Sequence, residues 1–193
     1  MNRFGLISRY PLVVAALIAA LQSAAILYVV ESRASVLRHG QEVLLQTAPI
    51  DPRDLLRGDY VVLSYDIAEI PTSLVFGSWP LGEKRQAIHV RIAPGEGGLW
   101  KVMQASFDPL PPAEGTVVLK GTVSYVPDRS TGADLRVAYG IERYYVPEGE
   151  GREIESARNE GRVSVAARVS AAGQASIRAL MLDGKPLYEE PLY

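Results

Sequence analysis

The sequence predicts a mainly β domain, an antiparallel barrel or sandwich with one or two short helices, preceded by a single transmembrane helix. Three observations predict it. Residues 11–30 carry no charge over 20 positions, enough helix at 1.5 Å per residue to cross a hydrocarbon core of about 30 Å. From about Gln41 onward apolar and polar residues alternate, the period of a strand with one buried face. Gly and Pro clusters cut that alternation into many short runs, the habit of an antiparallel β fold.

The apolar segment reads as an anchor. Pro11 suits a first helical turn and Ser8 lies close enough to cap it. Tyr10 and Tyr28 fall near the two ends, where aromatic rings favour the interface. A cleaved signal peptide is the competing reading. Its apolar region is shorter and ends in small residues, whereas this run ends in Leu27-Tyr28-Val29-Val30. The expected order is a short cytoplasmic tail (1–10), the anchor (11–30), a linker (31–40) and an exported domain (41–193). Arg3 and Arg9 precede the helix and Arg33 and Arg38 follow it, so the positive-inside count is nearly balanced. A short N-terminal tail is easily retained, which favours a cytoplasmic N-terminus and a periplasmic domain on a bacterial inner membrane. Ala16, Ala20 and Ala24 form one line on the helix, with Ala15, Ala19 and Ser23 beside it and Gln22 mid-membrane. Such a face either reflects the commonness of Ala or packs against another helix, in a homo-oligomer or a membrane-protein partner.

Candidate strands are 42–46, 60–67, 87–92, 100–105, 116–125, 135–146, 162–169 and 175–182, with a last short strand at 186–188. Residues 171–173 make 162–182 a hairpin. Short helical turns are expected at 52–56 and at 152–159, ending near Gly161. Residues 71–85 show no period and read as a loop.

Composition excludes several functions. The chain has 20 basic and 22 acidic residues. Setting aside Arg3 and Arg9 leaves 18 against 22, a mildly acidic domain with no basic run and no affinity for nucleic acid. With no cysteine there is no disulfide, thiol nucleophile or thiolate ligand. His39 and His89 are the only histidines, and Asp51, Asp54 and Asp59 lack calcium-loop spacing, so no metal or cofactor is expected.

The most informative stretch is APIDPRDLLRGDYVVLSYDI, residues 48–67. Asp51 before Pro52 starts a helical turn, with Asp54 in its first turn where negative charge is favoured. Arg53 and Arg57 lie four apart and reach one side of it. Gly58 and Asp59 form the exit. The strand that follows places Val61, Leu63, Tyr65 and Ile67 on one face and Tyr60, Val62, Ser64 and Asp66 on the other. A second segment, 135–146, places Val137, Tyr139, Ile141, Arg143 and Tyr145 on one face of a continuous strand. Glu142 or Glu148 is expected to meet Arg53 or Arg57. The candidate site is a polar cluster of Asp51, Asp54, Arg57, Asp59, Glu142 and Arg143, rimmed by Tyr60, Tyr65, Tyr144 and Tyr145. It acts as a register-fixing salt-bridge network, as a binding groove, or as a catalytic centre. No catalytic residue is assigned.

Gly58-Asp59-Tyr60-Val61-Val62-Leu63-Ser64-Tyr65 resembles, at each of its fixed positions, the motif of the GDYXXLXY family of bacterial membrane-anchored proteins. Residues 49–54 and 140–149 are similar to that family too. The resemblance implies a membrane-anchored domain and carries no assigned activity. Some relatives are joined to multi-spanning membrane domains, which implies a membrane partner. The expected function is a non-catalytic binding or accessory module. The alternative is a membrane-bound hydrolase, since a strand after an anchor faintly resembles a Ser/Lys signal peptidase. That chemistry needs a nucleophilic serine and a buried neutral lysine. Ser35 precedes Val36 rather than methionine; Lys84 lies between Glu83 and Arg85, Lys120 falls on the polar face of its strand, and none of the four lysines, Lys101 and Lys185 included, reads as desolvated.

Overall fold

The computed structural model describes residues 11–49, 60–82, 85–147 and 149–191. The expected turn at 52–56 lies outside the described residues. The chain divides into two compact units, one up to Ser35 and one from Val36 onward.

Helix α1 runs from Pro11 to His39. Its most apolar 18-residue window has a mean hydropathy of 2.4 and is not buried by protein, so the helix is long and apolar enough to cross a membrane. It does not stop at Val30. Residues 31–39, read as linker, contain no Gly or Pro and continue the helix. Arg38 and His39 close it, and Arg38 places a cation at the negative end of the helix dipole.

The second unit contains strands β1 (Gln41–Ala48), β2 (Tyr60–Val62), β3 (Ser64–Tyr65), β4 (Glu69–Ile70), β5 (Val75–Phe76), β6 (Gln86–Pro94) and β7 (Trp100–Ser106). After these come β8 (Val117–Val123), β9 (Leu135–Ala138), β10 (Arg143–Tyr145), helix α2 (Gly151–Asn159), β11 (Val163–Val169), β12 (Ala175–Leu182) and β13 (Lys185–Glu189). One sheet has the order β13-β12-β11-β1-β3, another β4-β9-β8-β6-β7-β5, and β2 and β10 form a two-stranded ribbon. Alternation does what the sequence promised: Val43 and Leu45 of β1, Ile88, Val90 and Ile92 of β6 and Val163, Val165 and Val169 of β11 are buried in one shared core.

Strand order decides the shape of the larger sheet. Ile70 of β4 and Val75 of β5 are at opposite edges of a six-stranded sheet. In a flat sheet those edges stand about 24 Å apart, five spacings of about 4.8 Å. Five residues of extended chain reach only about 17 Å. The sheet is therefore rolled, with the segment from Asp66 to Val75 bridging its edges, and 66–68 touches both β9 and β7. A curled six-stranded sheet and a five-stranded sheet thus share one core, the mainly β architecture expected.

One strand pair departs from the antiparallel expectation. β5 runs parallel to β7, Val75 opposite Ala105 and Phe76 opposite Ser106. Residues 71–85 are thus not merely a loop. The Trp79 indole N–H donates to the Pro127 carbonyl at 2.9 Å. The Arg129 guanidinium lies 5.2 Å from the Trp79 ring and donates to the Val75 carbonyl at 2.8 Å. These side-chain anchors hold an element that has no strand period of its own.

The β11–β12 hairpin ties the two large sheets together. The Gly173 carbonyl in its turn accepts the Lys120 amide of β8 at 2.8 Å. Gly173 has φ +83°, and a Cβ there would stand 3.0 Å from Lys120 N and Val118 O. Only glycine fits both the backbone and the approach.

Candidate functional site

The site grows from the way residues 60–67 change partners. Burial alternates as expected: Val61, Leu63, Tyr65 and Ile67 are buried, while Val62 and Asp66 are exposed. Yet the run is not one strand. Tyr60–Val62 pairs with Tyr145–Arg143, and Ser64–Tyr65 pairs with Ala48–Thr47. Leu63 marks the handover, and its amide donates to the Glu142 carbonyl at 2.9 Å.

The expected strand 135–146 is likewise broken, into β9 and β10. Gly140 takes φ +82°, a left-handed turn that an alternating run hides. The Glu142 carboxylate holds the turn. It accepts the Tyr139 amide, and its two oxygens lie 3.2 and 3.0 Å from the Gly140 amide. The turn shifts the phase of the chain. Val137, Tyr139 and Ile141 are buried, and then Tyr144 and Val146 are buried in their turn. Tyr145 is therefore 73% exposed, not on the face of Ile141 as the unbroken strand required.

Behind the ribbon lies a sealed polar network. The Tyr65 hydroxyl donates to the Ile141 carbonyl at 2.6 Å, and the Tyr139 hydroxyl to the Ile67 carbonyl at 2.6 Å. Burial, reinforced by the charge of Glu142, pushes both phenols well above their usual range. Tyr144 is pushed up to about 12, by burial and then by Glu190. Arg158 of α2 is fully buried. It donates to the Val62 carbonyl, and its Nε and Nη2 reach Asn159 Oδ1 at 3.2 and 3.0 Å. Burial lowers its proton affinity against the opposing pull of Glu155. Sequence reasoning missed Arg158. Its signal was helical phase, since it follows Ile154 and Ala157 on the buried stripe.

In front, the ribbon presents a different surface. Register sets Tyr60 opposite Tyr145 and Val62 opposite Arg143. The two rings meet edge-on at 6.0 Å, and the Arg143 guanidinium lies 5.5 Å from the Tyr60 ring centre. Val62 is 40% exposed between them. The structure thus gathers Tyr60, Arg143 and Tyr145 outward, and turns Tyr65, Glu142 and Tyr144 away from that face. Tyr65 and Tyr144 are buried supports rather than the rim expected of them. Asp51, Arg53, Asp54, Arg57, Gly58 and Asp59 lie outside the described residues, as do Glu148 and any meeting of Glu142 or Glu148 with Arg53 or Arg57.

Among the described residues no three or more His, Asp or Glu side chains gather as a metal site. Ser35 lies within α1. Lys101, Lys120 and Lys185 are exposed, and Lys84 lies outside the described residues.

No curated protein and no solved structure matches the chain. A family model described as GDYXXLXY protein matches residues 22–180. That span takes in the motif strand, the Gly140 turn, the ribbon and α2, and the chain belongs to the GDYXXLXY family.

Proposed function

We propose that the chain is a non-catalytic accessory module, held in a bacterial inner membrane by α1, which binds a membrane-protein partner through the outer face of the β2–β10 ribbon. On this reading the N-terminus is cytoplasmic and the β domain periplasmic. The observation that carries the reading is the pairing of Tyr60 and Tyr145 under Arg143 on an exposed surface. Tyr and Arg are the residue types over-represented among interface hot spots. Tyr60 is also the one described fixed residue of the family motif that is not buried, since Leu63 and Tyr65 both are. A Ser/Lys hydrolase needs a lysine made neutral by burial, and the exposure of Lys101, Lys120 and Lys185 among the described residues favours binding over that chemistry.

The test is crosslinking in native membranes, with a photoreactive side chain at position 145, followed by identification of the captured chain. Arg143→Ala with Tyr145→Ala should abolish the crosslinked partner, measured with the photoreactive group moved to position 62, while leaving thermal stability intact. Arg57→Ala and Asp59→Ala extend the test to the rest of the motif. Retention of the same partner by the ribbon variants would exclude the ribbon as the interface. Capture of a second copy of the chain instead would assign the partner role to self-association, which the Ala16–Ala20–Ala24 line also permits.

A further inference from the structure

A second surface lies beside α2. A cleft of about 370 Å³ opens between α2, the start of β11 and the β12–β13 hairpin. Ile154, Val163 and Leu182 are among its apolar lining, and Leu187 and Tyr188 of β13 form one side. That volume is near the lower end for ligand sites, about 300 Å³, and suits one or two side chains.

Charge selects the occupant. Glu150 and Glu153 also line the cleft. They fall on one helical stripe with Ile154 and Ala157, at spacings of three and four. Both are exposed, and neither has an ion-pair partner among the described residues. Arg162, the one cation among the described lining residues, is already committed. It lies 2.8 Å from Glu160 and 3.0 Å from Asp183. The cleft therefore offers apolar surface beside two carboxylates that no described residue pairs with. Beside it β13 is the outermost strand of its sheet among the described residues, the position at which an extended chain can add.

We propose that this cleft docks an extended segment of a partner protein that carries an apolar side chain next to Lys or Arg. The apolar side chain enters between Ile154, Val163 and Leu182, and the cation sits against Glu150 and Glu153. This goes beyond the ribbon reading, because the residues are different and the chemistry recognised is stated.

The experiment uses the full chain in detergent micelles and three fluorescent decapeptides. One carries Leu flanked by Lys, one has Glu in place of Lys, and one has Ser in place of Leu. The Lys–Leu peptide should bind, weaken as salt is raised, and exceed both controls. Glu150→Gln with Glu153→Gln should weaken it by roughly three- to tenfold. Glu150 caps α2 and Glu153 lies in its first turn, so the melting temperature of the double variant is measured beside its affinity, and the affinity is read at a temperature where the variant is folded. Absence of binding by the Lys–Leu peptide, equal binding by the Glu peptide, or unaltered affinity in the double variant would each overturn the proposal. Arg143→Ala with Tyr145→Ala should leave peptide binding intact, so failure at the ribbon and failure at the cleft are read separately.

Discussion

Tyr65 and Tyr139 clamp the same two segments in opposite directions. The hydroxyl of Tyr65 reaches the carbonyl of Ile141, two residues beyond Tyr139, and the hydroxyl of Tyr139 reaches the carbonyl of Ile67, two residues beyond Tyr65. Each bond is 2.6 Å and buried. The last residue of the family motif is therefore half of a reciprocal lock on the Gly140 turn. Removing either hydroxyl leaves a carbonyl in the core without its donor. Tyr65→Phe and Tyr139→Phe should each cost about 1–3 kcal/mol in urea denaturation. Because both bonds hold one turn, the double variant should depart from the sum of the singles by about 0.5 kcal/mol or more. Strict additivity would mean that the two bonds act independently.

The same phenols make stability fall at high pH. Tyr144 titrates near 12 in the folded chain against 10.0 ordinarily. Tyr65 and Tyr139 are raised as well. A raised folded value means that the unfolded chain loses these protons first. Stability is complete below about pH 10 and falls above it, by about 1.4 kcal/mol per pH unit for each phenol that ionises only on unfolding. Tyr144→Phe should make the fall between pH 10 and 12 shallower. An unaltered slope in that variant would show that Tyr144 does not contribute.

At Gly173 strain and crowding act together. Gly173→Ala meets φ +83° and two backbone atoms of β8 at 3.0 Å. It should cost about 1–3 kcal/mol by thermal melting, with amide exchange of Lys120 accelerated because its acceptor moves. Protection of the Lys120 amide equal to the parent's would contradict the hairpin-to-β8 link.

Arg158 should prove more costly to lose than any surface charge. Arg158→Met keeps apolar bulk but strips the Val62 carbonyl of its donor. A loss of about 2–4 kcal/mol is expected. Arg136→Met, at an exposed ion pair with Glu69, should stay within about 0.5 kcal/mol of the parent.

Much of the fold was legible because one-sided burial writes itself into alternation. β12 was read at its observed limits, 175–182, and Val61, Leu63, Tyr65 and Ile67 were read as one face, although Tyr65 was placed on the site's rim and is buried. The failures share a cause, which is information carried by partners rather than by local period. Nothing in Tyr60–Ile67 announces that β10 pairs with its first half and β1 with its second. β4 and β5 are two residues each, too short to show a period. The Gly140 turn was concealed because the residues on either side of it alternate well enough to imitate one strand. In the site, Tyr60, Arg143 and Tyr145 were named and do meet on one surface. The burial of Tyr144 was missed for the same reason as the turn. Arg158 was missed because a charged residue was not looked for on a buried stripe.

The pairing of β1 with β11 has a consequence for the order of events in making the protein. Gln41 sits opposite Val169, so the first strand of the domain has no main partner until the chain has been made as far as Val169. At synthesis rates of about 5–20 residues per second, β1 waits roughly 6–25 s for it. During that interval Val43 and Leu45 are exposed, attached to an apolar helix that has already been made. Until residue 169 emerges, the apolar face of β1 lacks the strand that pairs along most of its length.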